Sequence, residues 1–131
     1  TCALPIWIVF IVLLVMLIGC VGCSSAANDA STAAEKYQQA FAAKDADQVA
    51  KLSCKDWEEQ ALMEMDSFQA VETRLEGLTC SETGQDGDFT LVQCEGKILT
   101  TYGEEQREFD LSTRTLEMFQ QDSVWLVCGM Q

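Results

Sequence analysis

Cysteine is the residue type in this chain whose spacing points most directly to chemistry. Residues 17–20 read Leu-Ile-Gly-Cys and close an apolar stretch. Small residues followed by a cysteine at the end of such a stretch form the pattern in which the thiol receives a lipid. Cys20 is the favoured acceptor, and Cys23, which two serines follow, is the alternative. Their C-x-x-C spacing is a weak redox signal, because no strand-turn-helix pattern surrounds it.

The apolar stretch itself has the character of an export signal. Residues 7–19 carry no polar side chain, which is typical of a signal-peptide core. We therefore predict a cleaved lipoprotein signal at residues 7–20. An uncleaved single-pass anchor is the alternative, because the apolar residues 4–22 would just span a bilayer. Either arrangement tethers the rest of the chain to the cell membrane on its extracytoplasmic side.

Residues 1–6 need a separate interpretation. They lack the Met and the basic residues that usually precede a signal core. They also resemble the translated end of a sequencing adapter, so we expect them to be a read artefact. An unusual natural terminus is the alternative.

Four further cysteines lie in the body of the chain: Cys54, Cys80, Cys94 and Cys128. An even number in an exported small domain indicates two disulfides, for which three pairings exist. Cys80 and Cys94 lie equally far from Gly87, so we expect them to pair across a hairpin and to leave Cys54 for Cys128. Zinc is the rival interpretation, but the chain has no His and these four cysteines include no closely spaced pair. We expect no metal and no cofactor.

Charge limits the classes of partner. After a linker at residues 21–30, residues 31–131 are long enough for one domain, and the chain carries a net charge of −13. Such a surface argues against nucleic acid as a partner. The acids are scattered and do not form a calcium loop. The expected partners are the membrane, through the N-terminal lipid or helix, and an unknown small ligand or envelope protein; a homodimer is left open.

Apolar residues at helical spacing predict three helices, at residues 31–44, 46–53 and 56–71. In the first, Tyr37 and Phe41 face inward. In the third, Trp57 and Phe68 fall on one stripe. These four aromatic side chains are the candidates for lining a pocket, although core packing alone would also explain them.

Polar residues mark the predicted helix starts. Thr32 and Glu35 have the spacing of a capping box, and Asp45 is placed to cap the second helix. Asp56 with Glu59 repeats the capping spacing at the start of the third.

The second half of the chain has the composition of strands, separated by turn residues. Four strands are predicted, at residues 75–82, 89–102, 107–119 and 124–128. In the second strand the inward alternation changes between Leu91 and Ile98, which requires a bulge, and Gly96 is the natural place for it. A bulged sheet would bend around the helices and leave a concavity.

Several short motifs together resemble a known family: an alanine-rich helix with an aromatic pair, Lys-Asp-Ala-Asp at 44–47, Leu-Ser-Cys at 52–54, Gly-Glu-Glu at 103–105 and Val-Trp-Leu-Val-Cys at 124–128. The chain resembles small bacterial lipoproteins with a nuclear transport factor 2-like, or cystatin-like, domain. The resemblance implies an α+β fold in which three helices pack on a curved, cone-shaped, four-strand antiparallel sheet. Many such proteins have no assigned activity, whereas the ketosteroid isomerases and polyketide cyclases use an Asp/Tyr or Asp/His set.

Two functions follow, and the first is favoured. The domain is expected to be a non-catalytic binding module of unknown ligand. The alternative is an isomerase or cyclase, with Tyr37 or Tyr102 as hydrogen-bond donor and Asp110 as base. Phe109 and Leu111 flank Asp110 and should point inward, which places Asp110 outward. No catalytic residue is assigned on this basis.

The lipid acceptor can be tested directly. Mass spectrometry of the mature protein should find a diacylated or triacylated Cys20 as the first residue. Cys20→Ser should abolish lipidation because it removes the acceptor thiol, whereas Cys23→Ser should leave it intact. An intact N-terminus that begins before Trp7 would establish the uncleaved anchor instead.

Overall fold

The computed structural model of the chain describes residues 29–131. Within them, three helices and five strands follow one another along the chain. The helices are α1 (Ala30–Ala42), α2 (Ala46–Lys51) and α3 (Lys55–Asp66); the strands are β1 (Glu72–Asp86), β2 (Phe89–Tyr102), β3 (Glu105–Asp110), β4 (Thr115–Gln121) and β5 (Val124–Met130). The strands form one antiparallel sheet, and the helices pack against it around a single hydrophobic core. The expected α+β class agrees with this architecture.

Helix α1 is capped differently from the prediction. Asp29 is the N-cap, and its carboxylate accepts a hydrogen bond from the N–H of Thr32 at 2.7 Å. Glu35 accepts a hydrogen bond from the backbone N–H of Cys80 at 3.0 Å, which ties α1 to β1. The predicted capping box is therefore wrong, because Glu35 is used between elements and not within the helix.

The other two helices start near the predicted positions and end earlier. Asp45 caps α2 as expected, by accepting from the N–H of Gln48 at 3.1 Å. Helix α3 ends at Asp66 and does not reach residue 71. The hydroxyl of Ser67 donates to the carbonyl of Glu64 at 2.6 Å, and turns follow that carry the chain toward β1. This early end leaves the residues after α3 free to form one wall of a groove.

The segment between α2 and α3 runs along the outer edge of β5. The N–H of Val127 donates to the carbonyl of Leu52 at 2.8 Å, and the carbonyl of Val127 accepts from the N–H of Cys54 at 2.7 Å. The disulfide between Cys54 and Cys128 lies next to these bonds and joins residues 74 positions apart. A cross-link that closes so long a loop contributes roughly 4 kcal/mol on the chain-entropy estimate. The helical layer is thereby fastened to the last strand.

A bulge in β5 makes this disulfide compatible with the strand. Val127 pairs with Met118 and Gly129 pairs with Glu117, so Cys128 is an extra residue without a partner in β4. Strict alternation would put Cys128 on the face opposite to that of Val127, which is fully buried. The bulge interrupts the alternation at this point and lets Cys128 reach the helices.

The long hairpin of β1 and β2 carries the second disulfide. Cys80 lies directly opposite Cys94 and is bonded to it, the pairing expected from the sequence. The hairpin turns at Gly87 and Asp88, and Thr83 is an additional residue in β1. That extra residue moves the register by one position, which brings the two cysteines opposite each other.

A second irregularity in this hairpin lies where the sequence predicted a bulge. The register shifts between Glu76 and Thr79 of β1, opposite Gly96 of β2. Gly96 has a φ of 109° and Gly77 a φ of 66°, values that glycine tolerates far better than other residues. The extra residue belongs to β1, and β2 keeps one alternation, because buried residues on both sides of Gly96 occupy even positions: Thr90, Val92, Cys94, Ile98 and Thr100. The predicted change of alternation between Leu91 and Ile98 is therefore wrong, although the bulge lies at the predicted place.

The predicted four-strand sheet is wrong, because the predicted third strand at residues 107–119 is two strands. A 3₁₀ turn over Leu111–Thr113 interrupts it. The carboxylate of Asp110 accepts hydrogen bonds from the N–H of Ser112 at 2.8 Å and from its hydroxyl at 2.6 Å. The hydroxyl of Thr113 donates to the carbonyl of Asp110 at 2.8 Å. This local bonding competes with strand pairing and ends β3 at Asp110.

The predicted shape of the sheet is also wrong. The sheet is not strongly curled, so it does not form the curved cone implied by the resemblance. One physical reason is that the break after Asp110 divides the long third strand, which was expected to wrap around the helices, into two short strands.

The predicted signal at residues 7–20, the residues 1–6 and the acceptors Cys20 and Cys23 lie outside the described residues. Within residues 29–131, no helix has the length and apolar character needed to cross a membrane. The first described helix begins at Ala30, next to the predicted boundary between linker and domain.

Gly96→Ala should destabilise the fold strongly. A Cβ at this position would lie 2.6 Å from the carbonyl oxygen of Glu76 and 2.8 Å from the carbonyl carbon of Gly77, in addition to the strain of its positive φ. We expect a loss of roughly 3 kcal/mol in the free energy of unfolding, measured by urea denaturation. Gly103→Ala is the matched control, because its φ is 62° but nothing lies within 4 Å of the added Cβ; it should cost about 1 kcal/mol. Equal losses in both variants would contradict the close approach at Gly96.

Candidate functional site

A groove lies between the helical layer and β3. It consists of two contiguous cavities of about 590 Å³ and about 300 Å³, both lined by Ser67, Phe68 and Phe109. We call it the β3 groove, and its walls come from α1 (Tyr37, Gln38, Phe41), α3 and the turn after it (Glu64, Ser67, Phe68, Val71), β2 (Ile98, Thr100, Tyr102), β3 (Glu105, Arg107, Glu108, Phe109, Asp110) and the residues Leu111, Thr113, Arg114 and Met130. The groove is open to solvent along the side of β3, where every residue is exposed.

A row of aromatic rings crosses this groove from the core to the surface. The ring centroids of Tyr37 and Phe41 lie 6.2 Å apart, those of Phe41 and Phe68 lie 5.6 Å apart, and those of Phe68 and Phe109 lie 5.1 Å apart. The last two pairs meet edge to face, a favourable aromatic geometry. Tyr37 is 1% exposed, whereas Phe109 is 45% exposed. The row therefore offers a bound apolar group a continuous apolar surface.

Three of the four predicted lining residues are in this row: Tyr37, Phe41 and Phe68. Trp57, the fourth, does not line either cavity. Its indole N–H donates to the hydroxyl of Tyr37 at 3.3 Å, so it supports the groove from behind. The sequence did not single out Phe109 as a lining residue, although its inward alternation in β3 was the available signal.

Tyr37 is the polar group at the inner end of the row. Burial raises the pKa of Tyr37 to about 12, against the opposing effect of the hydrogen bond from Trp57. The phenol therefore stays protonated at neutral pH. Within residues 29–131 its hydroxyl accepts a hydrogen bond from Trp57 and donates none, so it can donate one to a bound group.

An ion pair lies beside the wider cavity. Arg114 Nη1 is 3.1 Å from Glu64 Oε2 and 3.1 Å from the sulfur of Met130. The pair connects α3 to the start of β4. An exposed pair of this kind contributes about 1 kcal/mol at most. Its two residues are 50 positions apart, so no local pattern could have identified it.

The residues of the alternative enzyme hypothesis lie along the same groove, but their chemistry is unfavourable. Asp110 is exposed, and the hydrogen bonds from the hydroxyl and the N–H of Ser112 lower the pKa of its carboxyl. A general base works best when its pKa lies near the operating pH, so this carboxylate is a poor base and serves to cap a turn. Tyr102 is 68% exposed at the narrower end.

Two further features define the chemistry of the described region. Among residues 29–131, no three His, Cys, Asp or Glu side chains are grouped so that they could hold a metal ion. The two disulfides indicate an oxidising, extracytoplasmic compartment, because such bonds rarely persist in the cytoplasm.

Comparison with known proteins supports the fold of this chain but not a family or a function. No protein-family model matches the chain, and no curated protein matches it. Solved structures of similar fold exist, and they include the following two. One is a SEC-C motif containing protein from Rhodopseudomonas palustris, with a TM-score of 0.51, 14% identity and 78% of each chain covered. The other is the helical cell shape determining protein from Campylobacter jejuni, with a TM-score of 0.50, 7% identity, and 76% of this chain but 38% of that chain covered. At these identities the likeness shows the fold alone, and the resemblance to lipoproteins stays a prediction.

The raised pKa of Tyr37 predicts a late titration. The chain has two tyrosines, so in Tyr102→Phe the tyrosinate absorbance reports Tyr37 alone. We expect a midpoint at about pH 12 in the folded protein and near 10.0 after denaturation in guanidinium chloride. Because the folded state keeps this proton to higher pH than the unfolded state, the contribution to stability is complete below pH 10 and is lost as pH rises toward 12. A folded midpoint near 10 would show that water reaches the phenol.

Proposed function

We propose that this chain is a non-catalytic binding module, tethered to the cell membrane on the extracytoplasmic side, whose β3 groove holds an apolar group of its ligand. The observation that carries the proposal is the aromatic row from Tyr37 to Phe109. It begins in the core and ends at a ring that is 45% exposed beside an open cavity of about 590 Å³. Cavities of this volume, with mostly apolar walls and a few polar groups, suit small ligands or side chains of a partner.

The polar groups around the groove are placed to orient a ligand. The buried phenol of Tyr37 supplies a donor at the inner end, and the pair of Glu64 and Arg114 supplies both charges beside the wider cavity. Polar groups at fixed positions orient a bound molecule, while the apolar walls provide most of the affinity. This arrangement supports binding of an apolar or amphipathic group.

The tether is supported by the sequence and by the disulfides. The Leu-Ile-Gly-Cys motif that ends in Cys20 supports lipidation. The disulfides support export, and so favour the lipoprotein part of the family resemblance. A lipid on Cys20, or the alternative anchor, would hold the domain close to the membrane surface. Its ligand would then be a small molecule or an envelope protein, and a homodimer is a further arrangement compatible with the tether.

The isomerase or cyclase alternative has weaker support. It needs a carboxylate able to take a proton near neutral pH, and the hydrogen bonds from Ser112 lower the pKa of Asp110. The donor of that hypothesis, Tyr37, is equally suited to holding a ligand. A binding function therefore explains the shape and lining of the groove without requiring a carboxylate that acts as a base near neutral pH.

Binding of an apolar probe tests the proposal. The neutral dye N-phenyl-1-naphthylamine should increase in fluorescence with the wild-type domain, and Phe109→Ser should weaken its affinity roughly tenfold, because the exposed ring of the row is lost. Met63→Ser is the matched control, since Met63 is 60% exposed and lies outside the groove; it should change the affinity by less than about twofold. Equal effects of both variants, or no dye binding by the wild type, would refute the assignment of the groove.

A further inference from the structure

The outer edge of β3 is unpaired in the part of the chain that the structure describes. β3 pairs with residues 97–102 of β2, and β4 pairs with residues 90–93 of the same strand. Beyond them, β5 pairs with β4 but not with β3. Glu105–Asp110 is therefore a stretch of sheet edge without a neighbouring strand in the described residues; β1, at the opposite side of the sheet, is another edge strand.

The backbone groups along this edge follow from the hairpin. Tyr102 pairs with Glu105 across the two-residue turn at Gly103, so the N–H and C=O of Glu105 point toward β2. These directions alternate in an antiparallel ladder. The N–H and C=O of Gln106 and of Glu108 therefore point away from β2. They form a row of free donors and acceptors, which is a template for a further strand.

The β3 groove opens along this same edge. Three successive residues, Glu108, Phe109 and Asp110, all line the wider cavity. Successive side chains of a strand point to opposite faces, so a cavity that all three line must reach around the edge of β3. An extended segment hydrogen-bonded to Gln106 and Glu108 would thus have the apolar row beside it, with Phe109 the nearest ring.

The charges around the β3 groove favour one kind of extended segment over others. The residues that line the groove include four acids, Glu64, Glu105, Glu108 and Asp110, and two bases, Arg107 and Arg114. Three of these acids form ion pairs, with Arg114, Arg107 and the neighbouring Lys97, which leaves Asp110 in excess on a chain that carries −13 in total. Such a surface attracts a basic segment and repels a second copy of itself.

We propose that the edge of β3 accepts an extended, basic segment of another protein as an additional strand. Its alternate apolar side chains enter the β3 groove while its backbone pairs with Gln106 and Glu108. Backbone pairing supplies affinity and the groove selects the side chains, as in other cases of strand addition. β3 is short, so a segment of about six residues covers it. This inference rests on the proposed function and specifies its ligand as a peptide.

The test uses a fluorescein-labelled heptapeptide, Lys-Val-Lys-Phe-Lys-Val-Lys, with fluorescence anisotropy at about 0.15 M salt, where long-range charge attraction is screened. Gln106→Pro removes one outward N–H, and proline is tolerated on an edge strand where that N–H faces solvent. We expect it to weaken peptide binding about tenfold, through loss of the hydrogen bond and steric conflict with the added strand. Gln106→Ala keeps the N–H and should bind within about twofold of the wild type. The same peptide with Glu in place of Lys should not bind.

Dye binding separates the two proposals. The side chain of Gln106 lines neither cavity, so Gln106→Pro should still bind N-phenyl-1-naphthylamine and show the wild-type circular dichroism spectrum. If the dye binds but the peptide binds equally to wild type and Gln106→Pro, strand addition is refuted and the groove stands. If the wild type does not bind the dye, the proposed function fails as well. Self-association of the wild type that Gln106→Pro abolishes would make a second copy the occupant and overturn the peptide.

Discussion

The bonding of Asp110 to Ser112 is the constraint on which the accessible part of this molecule depends. Without the turn that it caps, the strand after Tyr102 would continue along β2 as the alternation predicts. With it, the chain leaves the sheet after Asp110 and returns as β4 farther along the same edge of β2. β5 then covers β4 only, and β3 is left with an open edge. The groove, its exposed phenylalanine and the free backbone groups all result from that break.

The rest of the fold is held by stronger and more numerous connections. One disulfide closes the hairpin of β1 and β2, and the other joins the start of α3 to β5, where backbone hydrogen bonds with Val127 reinforce it. Among residues 29–131, no disulfide joins the walls of the groove, and edge-to-face aromatic pairs and one partly exposed ion pair connect its sides. Such contacts contribute about 1 kcal/mol each. We therefore expect the groove to adjust to the proposed ligand more easily than the cross-linked hairpin and the last strand do.

The charges of β3 have two consequences at once. Edge strands that carry charged side chains resist pairing with copies of themselves, and here Glu105, Glu108 and Asp110 lie on a chain of net charge −13. The same carboxylates favour a basic partner. Their ion pairs with Arg107 and Lys97, at 2.8 Å and 2.9 Å, leave an excess of acid. Protection against aggregation and the proposed preference for a basic partner thus depend on the same side chains of this edge.

The sequence by itself determined the features that depend on local chemistry. The spacing of Cys80 and Cys94 about a turn, the cap at Asp45 and the glycine at the bulge could be inferred because each acts through neighbours along the chain or across one hairpin. The inward position of Tyr37 and Phe41 followed from helical periodicity, whereas Phe68 lines the groove from the turn after α3, where that periodicity no longer applies. The tertiary structure decided the rest. Glu35 accepts a hydrogen bond from the N–H of Cys80 and does not cap its own helix. Arg114 pairs with Glu64, which is 50 positions away in the sequence. The hydrogen bonds of the Asp110 side chain with Ser112 take the place of further strand pairing. In each case a polar side chain had several partners of similar energy, and only the assembled fold determined which one was within reach.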